Sequence, residues 1–300
     1  MNNVSQTALR FAILFALGAS TCASAQPAPP HGASGAASSA TKPGGPAATQ
    51  SVPLVMEPKA MEIIKAMGDR LAAAKTMSFT ATVGYEFPSQ LGPPLVYTTE
   101  YDVTMQRPDK LRVIMPGDGP RSEFYYDGKT MVAYAPVENL VAVTDAPPTI
   151  DEALKKAFQK AAIFYPFTDL LVDNPGTVLA ETGKLAFYIG QSNIGGIKTN
   201  MVAWANDDVF LQAWVGVDDK LPYRVRATYS ADPLRLRHDL VLSNWKLDEA
   251  VTADMFTSTN ALGAHKIDFD RPEARLPAGV KPITLSKPSS KRSPIPLPSR

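Results

Sequence analysis

The chain offers few residues for acid–base or nucleophilic chemistry. Its histidines are His31, His238 and His265, and its single cysteine is Cys22. His238 directly precedes Asp239, and on a strand neighbouring side chains point to opposite faces, so these two do not work as a pair. His265 and Asp268 have a spacing that could assist a metal ion, but a solvated loop accounts for them better. There is no His-Glu-x-x-His, no Gly-x-Ser-x-Gly and no phosphate-binding loop, and Asn193-Ile194-Gly195-Gly196 reads as a turn. This inventory points away from an enzyme, with no catalytic residue, cofactor or metal expected. The more suggestive residues are apolar. Methionine adapts its shape to irregular apolar ligands, and Met105, Met115, Met131 and Met201, together with Trp204 and Trp214, form a candidate lining for an apolar pocket. Taken singly, each reads as ordinary core, as does Trp245.

The elements that must carry this set are mostly strands. From Ser78 the apolar period is two: Phe79, Ala81, Val83, Tyr85 and Phe87 alternate with polar residues, and after Gly92-Pro93-Pro94 so do Leu95, Tyr97, Tyr101, Val103 and Met105. Such alternation predicts an antiparallel sheet with one covered face. Leu111 to Met115 is a further short strand. Ser122 to Asp145 then reads as a three-strand meander, punctuated by Asp127-Gly128 and by Pro136 to Asn139. Strands resume at Leu185–Gln191, Thr199–Ala205, Val209–Val217, Tyr223–Tyr229 and Leu236–Trp245, for about ten or eleven in all. Two helical stretches interrupt them. Glu57-Pro58 opens the first, with Met61, Ile64, Met67, Leu71 and Ala74 on one face. Thr149 or Asp151 caps the second, which runs through Lys160, and Tyr165-Pro166-Phe167 separates it from a helical turn around Asp169–Val172.

The ends of the chain differ in kind from this middle. Arg10, the apolar run Phe11–Leu17 and Ala23-Ser24-Ala25 read as a secretory signal over residues 1–25, cut after Ala25. The run is too short to span a bilayer. A lipidation signal would place Leu and then Gly or Ala ahead of Cys22, where this chain has Ala19 and Thr21, so no lipid anchor is expected. Residues 26–54 are mostly Ala, Pro, Gly and Ser, a spacer too poor in large apolar residues to fold. Residues 273–300 form a Pro-rich tail, and from Leu276 on its charges, Lys281, Lys287, Lys291, Arg292 and Arg300, are all basic. A solubilising role suits this tail best, with weak attraction to anionic lipid as a further option. Residues 55–272 remain as the folded domain. Thirty basic and twenty-nine acidic residues nearly cancel, which argues against a nucleic-acid partner.

Several of these features occur in a familiar order. Gln106-Arg107-Pro108-Asp109-Lys110-Leu111-Arg112, then Asp127-Gly128-Lys129-Thr130 and Tyr134-Ala135-Pro136, resemble the lipoprotein carrier superfamily typified by LolA. Arg70-Leu71 leading into Ser78-Phe79, the central Pro166-Phe167 and the closing Met255-Phe256-Thr257 fit the same scheme. Within that superfamily the chain is most similar to a predicted periplasmic family. The resemblance implies a mainly β (α+β) fold, a single curved antiparallel half-barrel sheet with covering helices, whose apolar concave face accepts acyl chains. It also implies that Arg107 is a lid latch, bonding helix-end carbonyls in the Thr149–Leu171 insertion. Two departures from the carriers stand out: a longer insertion, and Ser258-Thr259-Asn260 in place of a proline pair.

The expectation is therefore a monomeric periplasmic protein that binds an apolar or acylated ligand, a lipid or a lipoprotein, as a carrier or chaperone. The alternative is an envelope protein-interaction or stress-sensor module on the same fold, and an enzyme ranks behind both.

Overall fold

The computed structural model describes residues 55–90, 92–117 and 121–271. The expected signal peptide, spacer and basic tail lie outside the described residues. Helix α1, Pro58–Ala73, starts at a proline that fits the first helical turn and buries Ala60, Ile64, Met67, Gly68 and Leu71 on one face. The strands are β1 (Thr76–Phe87), β2 (Leu95–Gln106), β3 (Lys110–Met115), β4 (Ser122–Tyr126), β5 (Thr130–Ala135) and β6 (Leu140–Asp145), followed after three helices by β7 (Leu185–Ile194), β8 (Ile197–Ala205), β9 (Val209–Gly216), β10 (Pro222–Tyr229), β11 (Arg237–Leu247) and β12 (His265–Ile267).

The helices between β6 and β7 are α2 (Ile150–Ala161), α3 (Thr168–Leu171) and α4 (Pro175–Thr182). The Thr149 hydroxyl caps α2 by accepting from the Glu152 amide, and Ala162 closes the helix in the left-handed region at φ 57°. Helix α4 was not expected from the sequence, although its start carries two signals: Asn174 accepts from the Thr177 amide, and Pro175 occupies the first turn.

All twelve strands form one unclosed sheet in the order β12-β6-β5-β4-β3-β2-β1-β11-β10-β9-β8-β7. The pairs from β6 to β2 and from β11 to β7 run antiparallel, while β12 runs parallel to β6. The expected ten or eleven strands fall short of this count because β12, at three residues, is too short to show a period. The β7–β8 turn is two residues, Gly195 and Gly196, both at positive φ (54° and 86°), the conformation that a tight hairpin needs.

Contacts divide the described chain into two compact units. The first contains α1, α4, β7–β10, the hairpin end of β1 and β2, and the start of β11. Here Ala60 and Ile64 of α1 pack on Ala186, Val202 and Trp204 of β7 and β8. Helices α1 and α4 meet at Gly68 and Gly176, where a Cβ on Gly68 would come within 2.3 Å of the Gly176 nitrogen. Only glycine permits that approach.

The second unit contains the remainder of β1 and β2, β3–β6, α2, α3, the end of β11 and the segment beyond it. On one face Met105, Leu111, Tyr126 and Met131 are fully buried, with Phe124 nearly so. The registers Met105↔Leu111, Leu111↔Tyr126 and Tyr126↔Met131 align these residues across four strands. On the other face Val132, Tyr134 and Val141 are met by Ala261, within the second of two 3₁₀ turns (Ala253–Phe256 and Asn260–Gly263), and by Ala264, which ends it.

One expectation fails at the outer half of β2. Leu95 and Tyr97 alternate as a half-covered strand should, yet Leu95, Val96 and Tyr97 are all exposed. Alternation records an amphipathic strand; it does not supply the layer that covers it.

Candidate functional site

The Arg107-Pro108 turn, between β2 and β3, is bound on several sides within the second unit. The Arg107 amide donates to the Lys75 carbonyl at 2.9 Å, and the Pro108 carbonyl accepts from the Ile150 amide at the start of α2 at 3.0 Å. The part-buried Arg107 guanidinium donates through NH2 to the Val172 carbonyl at 2.9 Å and through NH1 to the Leu171 carbonyl at 3.3 Å. These carbonyls lie at the C-terminal end of α3, where a helix leaves acceptors unpaired and favours a cation. A planar fork serves two successive acceptors better than an ammonium would. One side chain thus ties the β2–β3 turn to the helical insertion.

Between α2 and α3 the chain drops two rings onto the sheet. Tyr165 and Phe167 stack on each other with centroids 5.5 Å apart. Phe167 also meets Phe79 edge-on at 5.7 Å and Tyr101 at 5.4 Å, while Tyr165 meets Phe124 at 6.0 Å. Phe79 in turn lies 4.5 Å from Trp245. This aromatic cluster covers the face that carries Met105 and Met131. Burial pushes the Tyr165 phenol above its ordinary range. Tyr126 on the same face is pushed up to about 12, chiefly by burial, and its hydroxyl donates to the Pro147 carbonyl at 2.6 Å.

The candidate lining residues fall in two places. Met105, Met115 and Met131 are in the second unit; Met105 and Met131 have no exposure at all, and Met115 is half-buried. Met201, Trp204 and Trp214 are in the first unit. Met201 pairs across strands with Trp214, whereas Trp204 pairs with Leu211. Trp204 joins the cluster under α1 and donates its indole N–H to the Leu179 carbonyl of α4 at 2.8 Å. Trp214 instead holds the Arg224 guanidinium 5.2 Å from its ring. Arg224 makes a two-pronged ion pair with Asp239, at 2.8 and 2.9 Å. The two tryptophans therefore use opposite faces of the sheet, and strand register decides which.

Residues considered for other chemistry are dispersed. His238 meets the Tyr229 ring edge-on at 5.2 Å while its neighbour Asp239 pairs with Arg224. Burial lowers the His238 pKa below its ordinary value. His265 and Asp268 are both exposed. Among the described residues no three His, Cys, Asp or Glu side chains cluster as a metal site would need. The aromatic pair Tyr165–Phe167 is not legible in the sequence; for Arg107 the resemblance implies helix-end carbonyls in the Thr149–Leu171 insertion, and the acceptors are those of Leu171 and, one residue beyond, Val172. The rings were visible only as an interruption between helices, and the acceptors lie 64 and 65 residues from the arginine.

The model of the predicted periplasmic protein family DUF2092 matches residues 60–270. The chain belongs to this family. No curated protein matches it. Among solved structures it is similar to the Mycobacterium tuberculosis lipoprotein LppX, at 12% identity and a TM-score of 0.42 over 66% of this chain and 100% of that one. It is similar to a LolA superfamily protein from Nitrosomonas europaea, at 11% identity and 0.29 over 66% and 98%. It is also similar to MucB in the Pseudomonas aeruginosa MucA/MucB complex, at 15% identity and 0.39 over 68% and 62%.

Proposed function

We propose that this protein binds an acyl chain or similar apolar ligand on the helix-covered face of the second unit, as a carrier in the periplasm, after a signal peptide ending at Ala25 is removed. In this reading Met105, Met115 and Met131 line the floor, the segment carrying Tyr165 and Phe167 is the lid, and Arg107 is its latch. The observation that carries it is the guanidinium of Arg107 bonded to the Leu171 and Val172 carbonyls. It fastens the C-terminal end of α3 to the β2–β3 turn, while the rings of Tyr165 and Phe167 rest on the sheet by apolar packing, which a ligand chain can replace. Phe167, Met105 and Met131 are fully enclosed, which in this reading corresponds to the closed form. A ligand enters by displacing the two rings.

The test is to purify the protein from its own envelope and weigh it under native conditions. An added acyl-ligand mass, lost on delipidation, is expected. The delipidated protein should then take up a fluorescent fatty acid, and Arg107→Leu should change the uptake rate. If neither the wild type nor Arg107→Leu binds any amphiphile, the carrier reading falls. A stable envelope-protein complex with no ligand mass would favour the interaction module instead.

A further inference from the structure

The hairpin end of β1 and β2 is the most exposed apolar part of the first unit. Phe87 is 44% exposed, Leu95 52%, Val96 64% and Tyr97 48%; Leu234, on the connection between β10 and β11, is 60% exposed. The two connections are neighbours, since Pro88, Gly92 and Pro94 line one open groove with Leu234, Arg235 and Arg237. We propose that this rim docks on an anionic lipid surface.

Three features favour lipid over a protein partner. First, part of the turn's polar inventory is absent or bonded within the turn. Pro88, Pro93 and Pro94 have no N–H to strand, the Ser89 hydroxyl donates to the Pro93 carbonyl at 2.5 Å, and the Gly92 amide points to the Ser89 carbonyl at 3.5 Å. Each absent or internally bonded group lowers the cost of entering the headgroup boundary, where lipid cannot solvate it. Second, the rings are held in place before docking. Tyr97 stacks on Tyr85 at 5.7 Å and meets Phe87 edge-on at 6.1 Å, an amphipathic arrangement suited to a membrane interface. Third, the flanking charge has the right sign. Glu86 is neutralised by Arg237, whose guanidinium and amide both donate to it and hold its carboxyl below the usual range. Beside it Arg224 and Arg226 share the single carboxylate of Asp239, and Arg235 is exposed. A third carboxylate, Asp232, accepts from the Leu234 and Leu236 amides, so four arginines against three carboxylates leave a charge of +1 beside the apolar tip, which favours an anionic bilayer.

The test is co-sedimentation of the full chain with vesicles of phosphatidylcholine, alone or with about a third phosphatidylglycerol. The wild type should bind both and prefer the anionic mixture. Leu95→Ser with Val96→Ser should weaken binding to both about tenfold, with an unchanged melting temperature because both positions are exposed. Val96→Asp alone should reproduce the effect if the double variant folds poorly. Arg235→Glu should weaken binding only to the anionic vesicles. Three results would overturn the proposal. One is binding unchanged by the tip variants, as attraction through the basic tail alone would give. Another is no vesicle binding by the wild type. The third is a tip variant that loses a protein partner but keeps its vesicle affinity.

Discussion

In the second unit the strands are covered on both faces, by Tyr165 and Phe167 on one side and by the segment around the 3₁₀ turns on the other. In the first unit α1 covers Ala186, Val202 and Trp204, while the opposite face carries Arg224, Arg226 and Asp239. One stretch of sheet is thus held by apolar layers on both sides, the other by one apolar layer and a set of ion pairs. The difference shows where each unit is vulnerable. Two-sided burial concentrates stability in a few large side chains, whereas half-exposed ion pairs contribute little each.

The sharpest way to break this contrast is Phe167→Ala. Loss of a fully buried ring should cost about 3–5 kcal/mol. Amide exchange should accelerate across β3–β6 and α2 well before it does in α1 and β7–β9. Equal acceleration in both units would mean that they open as one. In the first unit the corresponding weak point is a backbone contact. Gly68→Ala sets a Cβ against the Gly176 main chain and should cost about 1–3 kcal/mol, read as a lower melting temperature and as lost protection in α1 and α4. Next comes Arg107→Leu, which strands part-buried carbonyls at about 1 kcal/mol or somewhat more. Exchange should rise across Thr149–Leu171, and identical protection there would remove Arg107 as a fastening point.

The smallest effect concerns pH. Burial holds the His238 pKa below its ordinary 6.5, so on acidification the unfolded chain takes up a proton before the folded one does. Stability is complete above about pH 6.5 and falls as pH drops through the folded value. The loss should appear as faster exchange near β10 and β11, and His238→Phe should flatten it.

Much of this fold is legible in the sequence because alternation is a strong signal. β1, β3 and the meander from Ser122 to Asp145 read directly from residue period and turn chemistry. What could not be read is what depends on partners distant in the chain. Trp204 and Trp214 look equivalent until register places one under α1 and the other against Arg224. Arg107 stands out through its turn, and the resemblance points it to a helix end in the insertion, but which carbonyls it meets depends on where the four-residue α3 ends. Tyr165 and Phe167 flank a proline and resemble a break between helices, whereas their rings form much of the cover on one face of the second unit.

The two short parallel pieces at the sheet's edges have a consequence for self-association. An uncovered edge strand invites a second copy to add on and polymerise. At the β7 edge, Val55 and Glu57 bond to Ala186, the Glu57 carboxylate accepts from the Tyr188 amide, and the register then shifts between Tyr188 and Gly190. At the β6 edge, His265–Ile267 lies against Leu140–Ala142. Each plug is a few residues long and comes from where the chain enters or leaves the fold. Fraying at either end would bare a strand edge while the rest of the sheet stayed intact, so truncation at these points endangers solubility before it endangers folding.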